Sequence, residues 1–456
     1  MRMEFWSVTP NGIPFYQQLY ARIRASIVNG EIAPGERMPS IRRLSEELNL
    51  SRTTIEAAYQ QLCVEGYLKS RPQSGYYAAE IRMHPDTQTP EKQHASRPPD
   101  LPPIRYRFST SAVDRNAFRV DLWRRYLRNV LNEPDGLLSY GEPQGEIALR
   151  EAISDYYNRV RGGSAVPEQI VIGAGIQPLL MILCGLIRSR MPTIAMEAPG
   201  FLQAEQIFFN CGFPVIHSAV DHEGLYASAL RACGATAAYV NPSNRYFSGN
   251  PLSLARRLEL LEWASEGNVL IEDDNNGELR YRARPIPAMQ GLDPAAPVFY
   301  LGTFSKVLMP AVRMGYLVLP RDFLQDYYAC RDHYNQTASK TEQLALAQYI
   351  HEGQLERQLR KMRKIYSQKG DLLLKSLKKA FPDAEIILQE TALRVLLRPA
   401  GAQDATVLSE LAARAGIIVR PYGDPANGQL SIGFSGIPQE EIEPGIDALR
   451  KSLKGT

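Results

Sequence analysis

Cysteine is scarce in this chain. Five stand among 456 residues, at Cys63, Cys184, Cys211, Cys233 and Cys330, and no two form a C-x-x-C pair. That argues against a disulfide framework and against a zinc site, and it fits a reducing compartment. Histidine is as thin, six dispersed residues. An excess of one charge is also missing, since 52 lysines and arginines against 49 aspartates and glutamates leave a formal +3, which says little about partners. No apolar run is long enough to cross a bilayer and none near the start reads as a secretory leader, so a cytoplasmic protein is expected. What remains, 44% hydrophobic and 22% charged residues, is the composition of a globular protein, over a length that predicts two or three domains.

One stretch, Gly302 to Tyr316 (GTFSKVLMPAVRMGY), is dense in chemistry. It follows the apolar run Val298-Phe299-Tyr300-Leu301, which reads as a buried strand. Lys306 can form an imine with an aldehyde, while the hydroxyls of Thr303 and Ser305 and the guanidinium of Arg313 can hold a phosphate. An aldehyde joined to a phosphate describes pyridoxal phosphate. Upstream, Asn268-Val269-Leu270 runs into Ile271-Glu272-Asp273-Asp274. A carboxylate at such a strand end can keep the pyridine nitrogen protonated, and Asp273 is the candidate. Acidic residues closing a strand also serve as helix caps, so the specificity lies in the two stretches together. Gly173-Ala174-Gly175-Ile176-Gln177 follows another strand and opens a helix, where backbone N–H groups can cradle a phosphate, but it lacks the third glycine of a dinucleotide fingerprint. Phe201, after Glu197-Ala198-Pro199-Gly200, can stack on a pyridine ring.

The N-terminal part is built differently. Phe15, Leu19, Ile23 and Ile27 recur every fourth residue and predict a helix. Ser40 caps a second helix with Ile41, Leu44 and Leu48 inward, and Ser51 caps a third with Ile55, Ala58, Tyr59 and Leu62 inward. The first turn of that third helix shows Ser51, Arg52, Thr53 and Thr54, side chains able to reach phosphates or base edges. Glu65 to Tyr77 then alternates and turns like a two-stranded wing, so a winged helix is expected over residues 1–80. This part is not basic as a whole, with nine lysines and arginines against eight glutamates. Its cations cluster at 37–52 and 69–71.

Residues 81–103 hold prolines at 85, 90, 98, 99, 102 and 103 with hardly any large apolar side chain, and read as a linker. From 104 to 456 apolar runs alternate with helical stretches. Strands are predicted at 169–172, 193–197, 215–220, 237–240, 268–273, 298–301 and 314–319, the spacing of an α/β domain with a mainly parallel sheet. A small C-terminal α+β lobe is expected, with strands near 386, 393–397, 417–420 and 430–434.

The run PGERMPSIRRLSEELNLSRTTIEAAYQQLCVEGYLKSRPQSGYY resembles the GntR-type winged helix. The resemblance implies DNA contacts by Arg42, Ser51, Arg52, Thr53 and Thr54, with the wing glycine Gly75 near a backbone. Residues 135–320 resemble fold-type I pyridoxal-phosphate enzymes of the aminotransferase class, and the pairing of the two resembles the MocR/GabR-like transcription regulators. By that resemblance Lys306 carries the cofactor as a Schiff base, Asp273 pairs with the ring nitrogen and Phe201 stacks on the ring. Thr303, Ser305, Arg313, Gly175 and the backbone N–H of Ile176 surround the phosphate. Tyr140, in SYGEPQG, matches a tyrosine that reaches the phosphate from the other subunit, which implies a head-to-tail homodimer.

Three departures from that pattern are informative. Where relatives place an aromatic hydroxyl two positions after the aspartate this chain has Asn275, and Asn244 lies in NPSNRYFSG where relatives place an Asn or His, so these amides are expected to share the ring's phenolic oxygen. The same loop has Phe247 in place of a proline. The terminal strand Gln429-Leu430-Ser431-Ile432-Gly433-Phe434 lacks the arginine that aminotransferases present to a substrate carboxylate. Arg420 and Arg394 are substitutes that sequence names and does not place. The expected function is therefore a pyridoxal-phosphate-dependent regulator whose operator binding changes when an amine or amino-acid-like effector exchanges with Lys306. A working aminotransferase with an appended DNA-binding domain is the alternative, and a cofactor-free dimerisation scaffold is a third.

Overall fold

The computed structural model describes residues 9, 12–80, 102–198, 200–245, 249–274, 276–401 and 404–453. The expected linker therefore lies outside the described residues except for Pro102 and Pro103. The chain divides into two compact units, Met1–Pro99 and Asp100–Thr456.

The smaller unit packs α1 (Phe15–Val28), α2 (Ile41–Leu48) and α3 (Arg52–Val64) beside a hairpin of β1 (Leu68–Arg71) and β2 (Gly75–Ala78). Its core is the predicted stripe: Leu19, Ile23, Leu44, Ile55, Ala58, Tyr59 and Leu62 are buried, joined by Leu68 and Ala78 from the hairpin. Phe15, Ile41 and Leu48 were expected inward, and the first is exposed while the other two are half-buried at the helix ends. Both serine caps form: Ser40 Oγ accepts from the Arg43 N–H at 3.2 Å and Ser51 Oγ from the Thr54 N–H at 3.1 Å. Asn49 ends α2 in the left-handed conformation at φ 52, which asparagine tolerates better than most residues.

In the larger unit β3 (Tyr106–Arg107) precedes α4 (Val120–Leu131), α5 (Ile147–Arg161), β4 (Ile170–Gly173) and α6 (Ile176–Ile187). Then come β5 (Ile194–Met196), α7 (Leu202–Asn210), β6 (Val215–His217), the short pair β7 (Val220–Asp221) and β8 (Gly224–Leu225), α8 (Ala227–Ala232) and β9 (Ala237–Val240). They are followed by α9 (Leu254–Ser265), β10 (Val269–Asp273), α10 (Met289–Leu292), β11 (Val298–Thr303), β12 (Gly315–Val318), α11 (Leu324–Cys330), α12 (Lys340–His351) and α13 (Gln354–Ala380). The lobe closes with β13 (Glu385–Gln389), β14 (Arg394–Arg398), α14 (Ala405–Arg414), β15 (Ile417–Ile418), β16 (Arg420–Pro421), β17 (Leu430–Gly433) and α15 (Ile442–Leu453).

Among the described residues, seven strands form one sheet in the order β4-β12-β11-β10-β9-β5-β6. Only β12 runs against its neighbours. Helices cover both faces, which is why β9 and β10 are buried at every position and read as unbroken apolar runs. A second sheet, β13-β14-β17-β16, belongs to the small lobe. The pairing of β3 with β15 carries the segment after the linker onto that lobe, and sequence patterning missed it because two residues show no period. Phe108 is buried there, and the buried Lys369 ammonium holds Asp114 at 2.8 Å. Among the described residues, no helix is long and apolar enough to cross a membrane.

Candidate functional site

Parallel strands bring their carboxyl ends to one edge of a sheet, and the crevice beyond that edge is where such folds bind ligands. β10 ends there with Asp273, and β11 ends there with Thr303, three residues before Lys306. Because β12 is antiparallel, its start rather than its end reaches the same edge: Gly315 lies opposite Thr303 on one side and Gly173 on the other. Arg313, just before that strand and left-handed at φ 49, is thereby delivered beside the first turn of α6. Gly175 caps that helix at φ 88, and a Cβ added to it would stand 2.8 Å from Arg313 Nη2. Glycine is needed there both for the backbone angle and for the room that the guanidinium takes. Ser305 donates its N–H to Thr303 Oγ1 at 3.2 Å, which holds the two hydroxyls together. Thr303, Ser305, Arg313, Gly175 and the start of α6 at Ile176 thus border one end of the crevice, rich in donors and suited to a phosphate.

Next to it a cavity of about 240 Å³ is lined by Lys306, Asp273, Phe201, Asn241, Asn244, Asn276, Thr110, Gln203 and Arg394, with Ala392 and Leu393. This size lies just under the roughly 300–1,000 Å³ of most small-molecule sites. Lys306 donates to the Thr110 carbonyl, and burial pulls its ammonium below the ordinary lysine value. Asp273 accepts from the Tyr239 hydroxyl on Oδ2, while Oδ1 is buried with no partner. Burial lifts the Asp273 carboxyl to about 6, against the pull of the Tyr239 hydrogen bond. Oδ1 of Asn244 and Oδ1 of Asn276 are likewise buried without partners.

Three orphan oxygens around one small cavity are costly unless a ligand supplies donors. A flat ring with a protonated nitrogen would satisfy the Asp273 oxygen, while an aldehyde suits the Lys306 amine and a phosphate suits the donors of the Thr303–Arg313 end. The residues present fit pyridoxal phosphate. Asn275, expected against the ring oxygen, lies outside the described residues, as do Phe247 and Pro199. Tyr140 is fully exposed and takes no part in the cavity of its own chain. Sequence reasoning missed Tyr239, Thr110, Gln203 and Asn276. Tyr239 was findable only through register: it lies opposite Ile271, so it shares a face with Asp273 two residues on. Arg394 reaches the cavity, whereas Arg420 is exposed on β16 and is not among the lining residues.

Beneath the cavity lies a second polar cluster. Arg161 is fully buried, with Nη2 2.5 Å from Asp274 Oδ2 and 3.1 Å from Ser243 Oγ. Tyr300 donates to the same Asp274 carboxylate at 2.7 Å. Glu272 takes the N–H groups of Met289 and Gln290, at 2.9 and 3.2 Å, and burial lifts it to about 7.

In the smaller unit Ser51, Arg52, Thr53 and Thr54 stand together at the start of α3. Ser51 Oγ lies 2.8 Å from Thr53 Oγ1 and 2.7 Å from Thr54 Oγ1, so these hydroxyls satisfy one another until a phosphate competes. Arg52 is exposed on the first turn. Arg42 and Arg43 pair with Glu46 and Glu47 one turn on, at 3.1 and 2.9 Å, which offsets part of the positive charge of α2. Gly75 of the hairpin borders a cleft of about 400 Å³ with Arg37, Ser40 and Arg43. Arg37, absent from the sequence-based set, bridges to Tyr77 of the hairpin.

Comparison with known proteins divides along the same lines. Residues 112–449 match the family model "Aminotransferase class I and II", and residues 15–77 match "Bacterial regulatory proteins, gntR family". The chain is similar to the uncharacterized HTH-type transcriptional regulator YdeL of Bacillus subtilis, 35% identical and covering 97% of each chain. It is 29% identical to the probable rhizopine catabolism regulatory protein MocR of Rhizobium meliloti, over 97% of this chain and 94% of that one. Among solved structures, an archaeal alanine:glyoxylate aminotransferase superposes with a TM-score of 0.69 at 24% identity, over 78% of this chain and 92% of that one, a likeness of fold.

Proposed function

We propose a function for a chain that belongs to the MocR/GabR-like transcription regulators, in which a gntR-type helix-turn-helix unit is joined to an aminotransferase class I and II domain. The smaller unit binds operator DNA, and the larger is an effector domain that senses an amine through pyridoxal phosphate. The observation that carries this reading is that the Lys306 amine and the orphan Oδ1 of Asp273 line one cavity, beside an end rich in phosphate donors.

When bound, the cofactor supplies an aldehyde that takes one amine at a time, so an effector amine and Lys306 compete for it. Asp273 would hold the ring nitrogen, Phe201 would stack on the ring and Asn244 would serve its phenolic oxygen, with Asn275 the second candidate of the sequence. Thr303, Ser305, Arg313, Gly175 and the Ile176 N–H would hold the phosphate, and in a homodimer Tyr140 of the partner subunit would complete its site. A depressed lysine pKa favours this chemistry, because the neutral amine is the nucleophile. The functional parts, on this reading, are the DNA-binding residues 1–80, a linker at 81–103 and the effector domain at 104–456.

The test is the visible spectrum of the purified, undialysed protein during titration with amines and amino acids. A band of the lysine-bound cofactor that shifts on titration supports the reading, and the lack of any such band defeats it. Steady transfer of an amino group to a keto acid would instead favour the aminotransferase alternative, which the missing arginine of β17 counts against.

A pH dependence follows from Asp273. Below about 6 its carboxyl is protonated in the cofactor-free protein, and it must lose that proton to accept a ring N–H. Cofactor affinity is therefore expected to fall by up to about tenfold per pH unit below 6, read by equilibrium dialysis between pH 5 and 8. A flat profile would remove Asp273 from the ring nitrogen.

On the DNA side, Arg52→Ala is expected to weaken operator binding by roughly 1–3 kcal/mol if Arg52 reads a base, measured by fluorescence anisotropy at fixed salt. Equal affinity of variant and parent discards the assignment.

A further inference from the structure

We infer that Arg394 receives a carboxylate, and that the effector is accordingly an amino acid rather than a simple amine. This rests on the reading of Lys306 as the amine-exchange site and adds the second attachment point. The terminal strand β17 carries Ser431 and Gly433 on one face and holds no arginine. Arg394 stands on the neighbouring strand β14, directly opposite Gly433. Opposed residues of an antiparallel pair point to the same face, and so do residues two apart on one strand. Arg394 therefore shares its face with Ser431, on the strand where sequence reasoning sought the missing cation. Gly433 leaves room for the overlying backbone, since a Cβ there would come within 2.5 Å of the Ser109 carbonyl carbon and 2.6 Å of the Thr110 nitrogen. That backbone carries the Thr110 carbonyl to which Lys306 donates.

Two further observations show that the position is built. Leu393, which precedes Arg394 and lines the cavity, is left-handed at φ 54 although its side chain is bulky and buried. Such a conformation is strained for a side chain of this size and persists only where the surroundings enforce it. Here the Leu393 N–H donates to the Glu390 carbonyl at 3.0 Å and its carbonyl accepts from the Phe434 N–H at 3.0 Å, so both sides of the strained residue are pinned. The guanidinium is also aimed by its neighbours: Nε donates to Gln389 Oε1 at 2.6 Å, Nη2 donates to the Tyr422 hydroxyl at 3.1 Å, and the Tyr422 ring lies 4.3 Å from the guanidinium carbon. A planar cation held in this manner at the wall of a small cavity suits a planar anion. A ligand that places its amine at Lys306 and its carboxylate at Arg394 is held at two points.

The experiment is spectral titration of the cofactor-loaded, full-length protein with matched pairs that differ by one carboxylate: glycine and methylamine, L-alanine and ethylamine, γ-aminobutyrate and propylamine. Hydroxylamine, which reacts with any accessible aldehyde, serves as the reference for the lysine site. The parent protein is expected to respond to the carboxylated member of at least one pair at a concentration tenfold or more below its partner. In Arg394→Gln that ratio should fall to within about twofold of one, and Arg394→Lys should retain part of it, since charge survives without the planar fork. A parent protein with no preference in any pair, or a preference that survives in Arg394→Gln, overturns the assignment while the hydroxylamine response leaves the amine-exchange reading standing. Loss of the hydroxylamine response in the parent protein defeats that reading and the inference with it.

Discussion

Replacing Arg161 with methionine is expected to destabilise the larger unit by about 3–5 kcal/mol, because it leaves Asp274 buried without its counter-charge. Neither partner of this ion pair has any solvent exposure in its side chain. Tyr300 can donate to Asp274 but cannot neutralise it, and Glu272 and Glu278 are buried close enough to repel it. The sign of the accompanying pH dependence follows from Glu272, which burial lifts from 4.5 to about 7. Between those values the unfolded chain has released the proton and the folded chain keeps it, so stability falls as pH rises through that window and levels off above it. Arg161 lowers the Glu272 and Glu278 carboxyls, so without it those two should bind protons still more tightly and the variant should lose more stability at pH 8 than at pH 5. Urea unfolding at the two pH values measures both effects. The double variant Arg161→Met, Asp274→Asn should recover most of the loss, since it removes the charge along with its partner. A single-variant cost below about 1 kcal/mol would mean that water or another group neutralises Asp274.

Lys306→Ala should eliminate the visible band of the lysine-bound cofactor and reduce the effector-dependent change in operator affinity to within about twofold. A ligand shifts a protein only by as much as it binds two arrangements differently. For this chain one difference can be named. The Lys306 side chain donates to the Thr110 carbonyl and, on the proposed reading, would give up that contact to hold the cofactor; Thr110 lies just after β3, near the start of this unit. Removing the amine removes both alternatives. Operator binding with and without effector, measured by anisotropy on parent and variant, decides the matter. An unchanged response in Lys306→Ala would exclude exchange at this lysine as the switch.

Much of this site was legible before any coordinates. Lys306, Thr303, Ser305 and Arg313 fall within eleven residues, and Asp273 closes a strand whose neighbours read as strands too. Local spacing carried that information, because the chemistry of each group is a property of its residue type and its position at a strand end. Long-range partners were not legible. Tyr239 meets Asp273 through a register that hydrophobic runs leave open, since a strand buried on both faces has no alternation to mark which side chains share a face. Thr110 meets Lys306 across 196 residues of chain.

The sequence by itself determined the two-part organisation, the winged helix with its two serine caps, and which amine, carboxylate and hydroxyls stand at the strand ends. These follow from local periodicity, capping and strand-end position, all of which act over a few residues. The tertiary structure alone put Arg394 and not Arg420 at the cavity, brought Arg313 to Gly175 by reversing β12, and left Asp273, Asn244 and Asn276 of the cavity wall each with a buried oxygen that has no hydrogen-bond partner. Strand order and register set those outcomes, because side chains far apart in sequence become neighbours only once the sheet has chosen which edges to pair.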